Sequence, residues 1–160
     1  MTKDRIPVTP AILQLKREGV AFTLRPYRYE ERGGTRVSAR ELGVDEHLVI
    51  KTLVMQDEQG EPLVILMHGD KEVSTKALAR TLGVKAISAC TPPVAERHTG
   101  YRVGGTSPFG MKKPLRIFME EGIASLPRIL INAGSRGLLA ELSPAELIRI
   151  LKPVALKVAL

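Results

Sequence analysis

The sequence predicts an α/β fold in which short helices surround a mixed β-sheet. Apolar runs typical of strands alternate with short amphipathic stretches, several of which begin at a capping residue and end at glycine. Two strong strand patterns, residues 49–55 and 63–68, are separated by a turn at residues 56–60, which indicates a hairpin. A hairpin among helix-separated strands favours a mixed sheet over a doubly wound parallel one.

Five short helices are predicted from their start and stop signals. Thr9 is a candidate N-cap, Pro10 suits the first helical position, and the apolar face continues to Gly19. Ser38 and Glu41 have the spacing of a capping box, which predicts a second helix that begins there and ends at Gly43. The other three helices are expected to follow Ser74, Thr91 and Ser143, and to end at Gly83, Thr99 and Leu151.

The remaining strands are shorter, and Pro26 places the first of them at an edge of the sheet. They are expected at residues 22–27, 86–89, 115–119, 128–131, 138–142 and, from a weaker alternation, 154–160. The 160 residues suffice for one domain with a full core, of which we expect residues 1–8 to be disordered.

The composition indicates which kinds of partner the protein binds. Lysine and arginine total 24 against 17 acids, and the net charge of +7 favours a polyanionic partner. Three Phe, three Tyr and no Trp argue against a surface that stacks many bases.

The same composition predicts a soluble cytoplasmic protein without a structural zinc site. The single cysteine, Cys90, fits a reducing compartment, and no cluster of Cys and His has zinc-ligand spacing. No apolar run reaches the length of a membrane span, and the first residues lack a secretory signal.

Two glycine-rich segments are the strongest candidates for a binding site. Residues 100–113 contain four glycines, a proline, two hydroxyl side chains and two terminal lysines, and residues 132–137 repeat the character of this loop. Glycine lets the backbone approach a ligand closely, and successive N–H groups in such turns can bind anions. We expect the two loops to form two walls of one pocket.

Neither loop matches a common catalytic motif. Ser107 is followed by Pro108, which has no N–H to act as an oxyanion donor, and the spacing is not that of a nucleophile elbow. The glycine spacing also differs from the dinucleotide and P-loop patterns. The Ser107 hydroxyl is therefore expected to orient either the loop or a ligand.

Charged residues near these loops allow more than one interpretation. Lys51 interrupts an apolar strand, so its ammonium reaches either solvent from an edge strand or a ligand pocket. Lys112, Lys113 and Arg116 form a basic patch that suits a phosphate-bearing ligand or is simply a solvated face. Arg136 could contact a phosphate or a backbone carbonyl.

Three ordered motifs resemble the YbaK/EbsC family of aminoacyl-tRNA deacylases, especially its Cys-tRNA(Pro) deacylases, which are similar to the editing domain of bacterial prolyl-tRNA synthetase. The motifs are residues 50–53, residues 99–113 and residues 134–137, within a likeness that covers residues 9–152. The resemblance implies a single domain with a mixed, barrel-like sheet and hydrolysis of the ester of a mischarged tRNA.

The resemblance also implies roles for individual residues. Lys51 would hold the acceptor end of tRNA as the catalytic lysine, with the lysine and arginine patch (Lys112, Lys113 and Arg116) contacting tRNA. The substrate-binding residues would be Thr52, Tyr101, Gly104, Gly105, Thr106, Ser107, Gly134, Ser135 and Arg136. No cofactor or metal is implied, the partners would be tRNA(Pro) and prolyl-tRNA synthetase, and the cysteine of the substrate would itself attack the ester.

Two departures leave the edited amino acid open. The cysteine-specific members carry an acid at the position of Leu139 and a serine at the position of Asn132. Cysteine, alanine and other small amino acids therefore stay as alternatives. Two other function classes also stay open, a tRNA-binding module without turnover and a hydrolase of small-molecule esters.

Overall fold

Eight strands form one mixed sheet in the computed structural model, which describes residues 6–160. The strands are β1 (Thr23–Pro26), β2 (Val49–Asp57), β3 (Pro62–His68), β4 (Ile87–Ala89), β5 (Arg116–Glu120), β6 (Ile129–Ser135), β7 (Leu138–Leu142) and β8 (Val154–Leu156). Their order is β1-β7-β6-β2-β3-β5-β8, with β4 paired to β2. The predicted mixed sheet is confirmed, and β1 lies at one end of it, as Pro26 indicated.

Antiparallel and parallel pairs both contribute to this sheet. The predicted hairpin is the antiparallel pair β2–β3, and β6–β7 and β1–β7 are antiparallel as well. β6 runs parallel to β2, β5 runs parallel to β3, and β8 runs parallel to β5. β2 is therefore an interior strand with neighbours on both sides.

One edge of β2 is interrupted in its middle. β3 pairs with β2 from Ile50 to Gln56. On the opposite edge, β6 pairs only with Val49 and Ile50, and β4 pairs only with Met55–Asp57. Among the described residues, no strand pairs with residues 51–53 on that edge. Backbone groups that a continuous sheet would use in its ladder are therefore open to another partner.

The helices are α1 (Pro10–Arg17), α2 (Gly34–Leu42), α3 (Thr75–Leu82), α4 (Pro92–Thr99) and α5 (Pro144–Leu151), and Glu46–Leu48 and Glu121–Ser125 are 3-10 turns. Thr9, Ser74 and Ser143 accept backbone N–H bonds as N-caps, as predicted. Within residues 6–160, no helix is both long and apolar enough to span a bilayer.

The predicted start of the second helix was wrong. α2 begins at Gly34, so Ser38 lies inside the helix and does not cap it. Ser38 is buried, and its hydroxyl donates back to the Thr35 carbonyl at 3.1 Å. A buried serine can satisfy its hydroxyl within the preceding turn, so the capping-box spacing misled the prediction. The predicted end at Gly43, in the left-handed conformation, is confirmed.

The predicted disorder of residues 1–8 stays a prediction, whereas the C-terminal end differs slightly from expectation. Ile6, Pro7 and Val8 are exposed and precede α1, whereas residues 1–5 of the segment predicted to be disordered lie outside the described residues. The weak alternation at residues 154–160 yields β8 and then an isolated bridge between Ala159 and Val73. The last residues thus attach to the loop that precedes α3.

Candidate active site

A cleft of about 830 Å³ opens beside the interrupted edge of β2. Its floor is β2 itself, and its walls come from the segment before α2, the first glycine loop and the turn between β6 and β7. Charged side chains of both signs line it, namely Lys51, Arg32, Arg36, Arg136, Glu31, Glu46, Glu72 and Glu96. The break in the ladder and the cleft are therefore one feature.

Lys51 lines this cleft from an interior strand, which excludes the edge-strand alternative. Its side chain is 18% exposed, and its ammonium donates to the Lys71 carbonyl at 2.7 Å and to the Glu72 carboxylate at 3.0 Å. Glu72 is itself 79% exposed, so water weakens this ion pair. The ammonium is thus held at the cleft by a contact that a stronger anion can replace.

Thr52 lies on the opposite face of β2 because successive strand residues alternate. Its neighbours on that face, Ile50 and Val54, belong to the main core cluster, whereas Leu53 packs with a second cluster. The Thr52 hydroxyl is buried and has no hydrogen-bond partner among the described residues. A buried hydroxyl without a partner is unfavourable, so a ligand that bonds to it would gain affinity.

Internal hydrogen bonds hold the first glycine loop in place. The buried Tyr101 donates its hydroxyl to the Phe109 carbonyl at 2.6 Å, and the buried Ser107 accepts from the Phe109 N–H at 3.2 Å. Gln14 on α1 accepts from the Gly110 N–H at 2.6 Å. Burial also raises the pKa of Tyr101 to about 12, so its phenol keeps the proton that it donates.

The two glycine-rich segments contact each other directly. The sequence predicts the second as a loop after a strand that ends at residue 131, but residues 132–135 belong to β6 and only Arg136 and Gly137 form the turn. A Cβ on Gly105 would lie 2.9 Å from the backbone nitrogen of Arg136 and 3.0 Å from the carbonyl carbon of Ser135. Gly134 has φ of +96°, and a Cβ there would lie 2.8 Å from the Tyr101 ring. Only glycine permits this approach of backbone to backbone and of backbone to ring.

Arg136 joins the two loops at the mouth of the cleft. Its Nε donates to the Val103 carbonyl at 2.9 Å, and its guanidinium lies 5.2 Å from the centre of the Tyr29 ring. Of the two roles that the sequence left open, the structure shows the contact with a carbonyl. The rest of the guanidinium lines the cleft.

Asn132 makes a further connection that the sequence analysis missed. Its Nδ2 donates to the Gly104 carbonyl at 3.1 Å, and its Oδ1 accepts from the Gly134 N–H at 2.7 Å. An asparagine just before a glycine turn often bonds to backbone two residues on, which is the signal that could have indicated this role. Asn132 pairs with Leu139 across β6 and β7, so the two departures from the family pattern are neighbours in the cleft.

The structure separates the predicted substrate-binding residues into two groups. Those that line the cleft are Thr52, Gly104, Thr106 and Arg136. Those that do not line it are Tyr101, Gly105, Ser107, Gly134 and Ser135. Members of the second group make the contacts within and between the loops, so their substrate contacts stay a prediction.

The predicted basic patch lies elsewhere on the surface. Lys112, Lys113 and Arg116 are exposed, and none of them lines the cleft. The Arg116 guanidinium lies 5.8 Å from the centre of the Phe118 ring. Contact of this patch with tRNA stays a prediction.

Cys90 and His68 are two further polar residues whose surroundings the structure shows. Cys90 is half-buried in the cleft, 3.8 Å from Gln56 Oε1, and burial raises the pKa of its thiol. His68 is buried outside the cleft, stacked on His47 at 3.8 Å between ring centres, and burial lowers its pKa, so it stays neutral. Within residues 6–160, no three His, Cys, Asp or Glu side chains are grouped as a metal site.

The first glycine loop also contains backbone N–H groups that can donate hydrogen bonds. The N–H groups of Val103 and Gly105 are bonded to Glu96 and to the Arg102 carbonyl. Within the described residues, those of Gly104 and Thr106 have no acceptor. When an ester carbonyl is attacked, N–H groups that have no other acceptor can stabilise the oxyanion that forms.

A sequence model of the aminoacyl-tRNA editing domain matches residues 32–150, which include the floor of the cleft and both glycine loops. The chain belongs to the aminoacyl-tRNA editing domain family. The resemblance found from the three motifs is therefore confirmed.

Individual members of the editing domain family agree with this assignment. The chain is 34% identical over 110 residues to EbsC of Enterococcus faecalis, a candidate Cys-tRNA(Pro)/Cys-tRNA(Cys) deacylase, covering 69% of this chain and 67% of that protein. It is 32% identical over 83 residues to the proline–tRNA ligase of Brachyspira hyodysenteriae, covering 52% of this chain but 14% of the ligase.

A solved structure supports the fold of this editing domain. The crystal structure of a candidate trans-editing enzyme for prolyl-tRNA synthetase superposes with a TM-score of 0.82 at 20% identity, covering 95% of this chain and 98% of that one. Because the superposition covers 95% of this chain, the agreement extends beyond residues 32–150, the segment matched by the family model. The predicted α/β fold class is thus confirmed.

Proposed function

We propose that this protein hydrolyses the ester bond of mischarged aminoacyl-tRNA in trans, with Cys-tRNA(Pro) as the substrate. The observation that carries the proposal is the interrupted edge of β2, beside which Lys51, Thr52, Gly104 and Thr106 line one cleft. The N–H groups of Gly104 and Thr106 have no acceptor among the described residues. Membership of the editing domain family supports the reaction class, and the name of the E. faecalis relative supports cysteine.

The cleft supplies orientation and charge, and it needs no protein nucleophile. The thiolate of the substrate cysteine attacks the ester carbonyl carbon, the bond to the ribose oxygen breaks, and that oxygen takes a proton from water. Water then opens the cyclic thioester to give free cysteine. The glycine loop N–H groups bind the oxyanion of the first step, where one such donor contributes about 3 kcal/mol.

In this scheme Lys51 binds an anionic part of the acceptor end. A phosphate forms a stronger pair with an ammonium than an exposed carboxylate does, so substrate would displace Glu72 from Lys51. The arginines at the mouth, Arg32 and Arg36, add positive charge where the tRNA would enter.

The test is deacylation of purified Cys-tRNA(Pro), Ala-tRNA(Pro) and Pro-tRNA(Pro) by the wild type, Lys51→Ala and Lys71→Ala. We expect Cys-tRNA(Pro) to be hydrolysed fastest, and Lys51→Ala to be slower by about a hundredfold, as for other electrostatic catalytic groups. Lys71→Ala is the matched control, because Lys71 contacts Lys51 only through its backbone carbonyl and should retain activity.

Other results would favour the competing functions. Binding of tRNA without turnover would indicate a binding module, and faster hydrolysis of Ala-tRNA(Pro) would move the specificity to alanine. A small-molecule ester hydrolase would show activity unaffected by salt, whereas tRNA binding weakens steeply as salt rises.

A further inference from the structure

Glu96 is an acidic side chain in the cleft that no step of the proposed reaction has used. It lies on α4, is partly buried, and accepts a hydrogen bond from the Val103 N–H at 2.9 Å through Oε2. Among the described residues, no lysine, arginine or histidine forms an ion pair with it. One carboxylate oxygen therefore positions the glycine loop, and the other has no assigned partner.

The other acids of the cleft differ from Glu96 in their contacts. Glu46 accepts a hydrogen bond from the Thr35 hydroxyl at 2.7 Å, and Glu72 pairs with Lys51. Glu31 is exposed and precedes α2, and among the described residues it makes no hydrogen bond to the glycine loop. Glu96 is thus the acid bonded directly to the loop whose free N–H groups, at Gly104 and Thr106, would face the ester.

An aminoacyl ester presents one cation to such a site. Its α-ammonium group is attached to the carbon next to the ester carbonyl, so a loop that binds the carbonyl oxygen brings the ammonium close by. Lysine and arginine repel that ammonium, whereas a partly buried carboxylate without a cation gains a charge-assisted hydrogen bond from it.

We propose that Glu96 binds the α-ammonium of the aminoacyl ester and thereby selects substrates with a free amino group over N-acylated ones. This inference rests on the proposed deacylase function and adds a specificity-determining residue to it. The cleft then recognises the two ends of the substrate by opposite charge, phosphate at Lys51 and ammonium at Glu96.

The experiment compares each aminoacyl-tRNA with its N-acetylated form, using the wild type, Glu96→Gln and Glu46→Gln. Glutamine at residue 96 keeps an oxygen that accepts from Val103 N–H, so the loop stays positioned while the charge is lost. We expect acetylation to lower kcat/KM of the wild type about tenfold to a hundredfold, and Glu96→Gln to lower it similarly for the free substrate.

The decisive quantity is the effect of acetylation in the variants, because two changes that remove the same contact are not additive. Acetylation should change kcat/KM of Glu96→Gln by less than about threefold, whereas Glu46→Gln should keep the full effect of the wild type. Equal rates of the wild type on both forms, or a full acetylation effect in Glu96→Gln, would overturn the inference. Hydrolysis of neither form by the wild type would instead overturn the deacylase function, and the inference with it.

Discussion

The two sides of the cleft are positioned by different kinds of contact. The glycine-loop side depends on buried groups: Tyr101 is 5% exposed, Ser107 is fully buried, and both bond within the loop. The Lys51 side depends on an exposed carboxylate, Glu72, and on a loop that the last residues of the chain hold from outside. Buried hydrogen bonds thus position the glycine-loop side, and solvent-exposed contacts position the Lys51 side.

This difference suggests a division of tasks. Buried hydrogen bonds without competing water keep the donors of the glycine loop at fixed positions, which an ester in a narrow reactive geometry requires. An exposed ion pair costs little to rearrange, which suits a lysine that must exchange Glu72 for a substrate anion. Among residues that do not line the cleft, substitutions on the first side should therefore have larger effects than those on the second.

Among these supporting residues, the largest effect is expected for Gly105→Ala. The new Cβ would lie 2.9 Å from a backbone nitrogen of the second loop, so the two loops must separate. We expect loss of at least about 90% of deacylase activity and a decrease of about 1–3 kcal/mol in the free energy of unfolding, typical of overpacking. Steady-state kinetics and urea unfolding measure the two effects.

Gly122→Ala is the matched control for this substitution. Gly122 also lacks a positive φ, and a Cβ there meets the edge of the His68 ring at 3.1 Å rather than backbone. It lies outside the cleft, so activity should stay within about twofold of the wild type. If both variants were equally active, the close contact of the loops would not matter for catalysis.

Tyr101→Phe should lower activity less than Gly105→Ala does, and its effect on the free energy of unfolding should depend on pH. Removing the hydroxyl leaves the Phe109 carbonyl without its donor, which costs about 1–3 kcal/mol of unfolding free energy at pH 8. Because burial raises the folded-state pKa of Tyr101 to about 12, its stabilisation is complete below the unfolded pKa of about 10 and is lost as the pH rises through 12.

The measurement is urea unfolding of wild type and Tyr101→Phe at several pH values from 8 to 12. The free energy of unfolding of the wild type minus that of Tyr101→Phe should fall by about 2–3 kcal/mol over the alkaline part of this range, to near zero or below. A difference that stays constant to pH 12 would show that the phenol is not desolvated, and the contrast between the two sides would be weaker than proposed.

The smallest effect is expected for Leu160→Pro, which acts on the Lys51 side. The Leu160 N–H donates to the Glu72 carbonyl at 2.8 Å, and proline removes that donor while the side chain is already 75% exposed. We expect kcat/KM to fall by about twofold to fivefold through the altered position of Glu72, with an unfolding free energy within about 1 kcal/mol of the wild type.

Leu160→Ala keeps the N–H and is the control, so its kinetics should match those of the wild type. A loss of activity in Leu160→Pro as large as in Gly105→Ala would reverse the comparison. It would mean that the exposed side of the cleft is positioned as strictly as the buried side.

Sequence patterns predicted most of the fold because the signals are local. The capping of α1 by Thr9, the β2–β3 hairpin and the glycine ends of the second and third helices all depend on neighbouring residues. The predicted start of α2 was wrong because it depends on residues distant in the sequence. Whether Ser38 is buried depends on what packs against the helix.

The candidate site was predictable only in part. Lys51 and the two loops are unusual residues for their positions, so the sequence indicates them. Glu72, Glu96 and Asn132 are ordinary polar residues, and only the fold brings them to Lys51, Val103 and Gly104. The interruption of β2 involves strands from three parts of the chain, so no local pattern could show it.

That interruption also bears on how the protein avoids self-association. Unpaired strand edges attract other chains, and long flat edges are a common origin of aggregation. Here the free stretch is residues 51–53, closed at one end by the pairing of Ile50 and at the other by the Cys90 N–H, which donates to the Val54 carbonyl at 3.1 Å. The backbone groups of so short a gap can bind a ligand, but three residues are too few to pair stably with a strand from another chain. The interruption therefore does not make the sheet a template for fibrils.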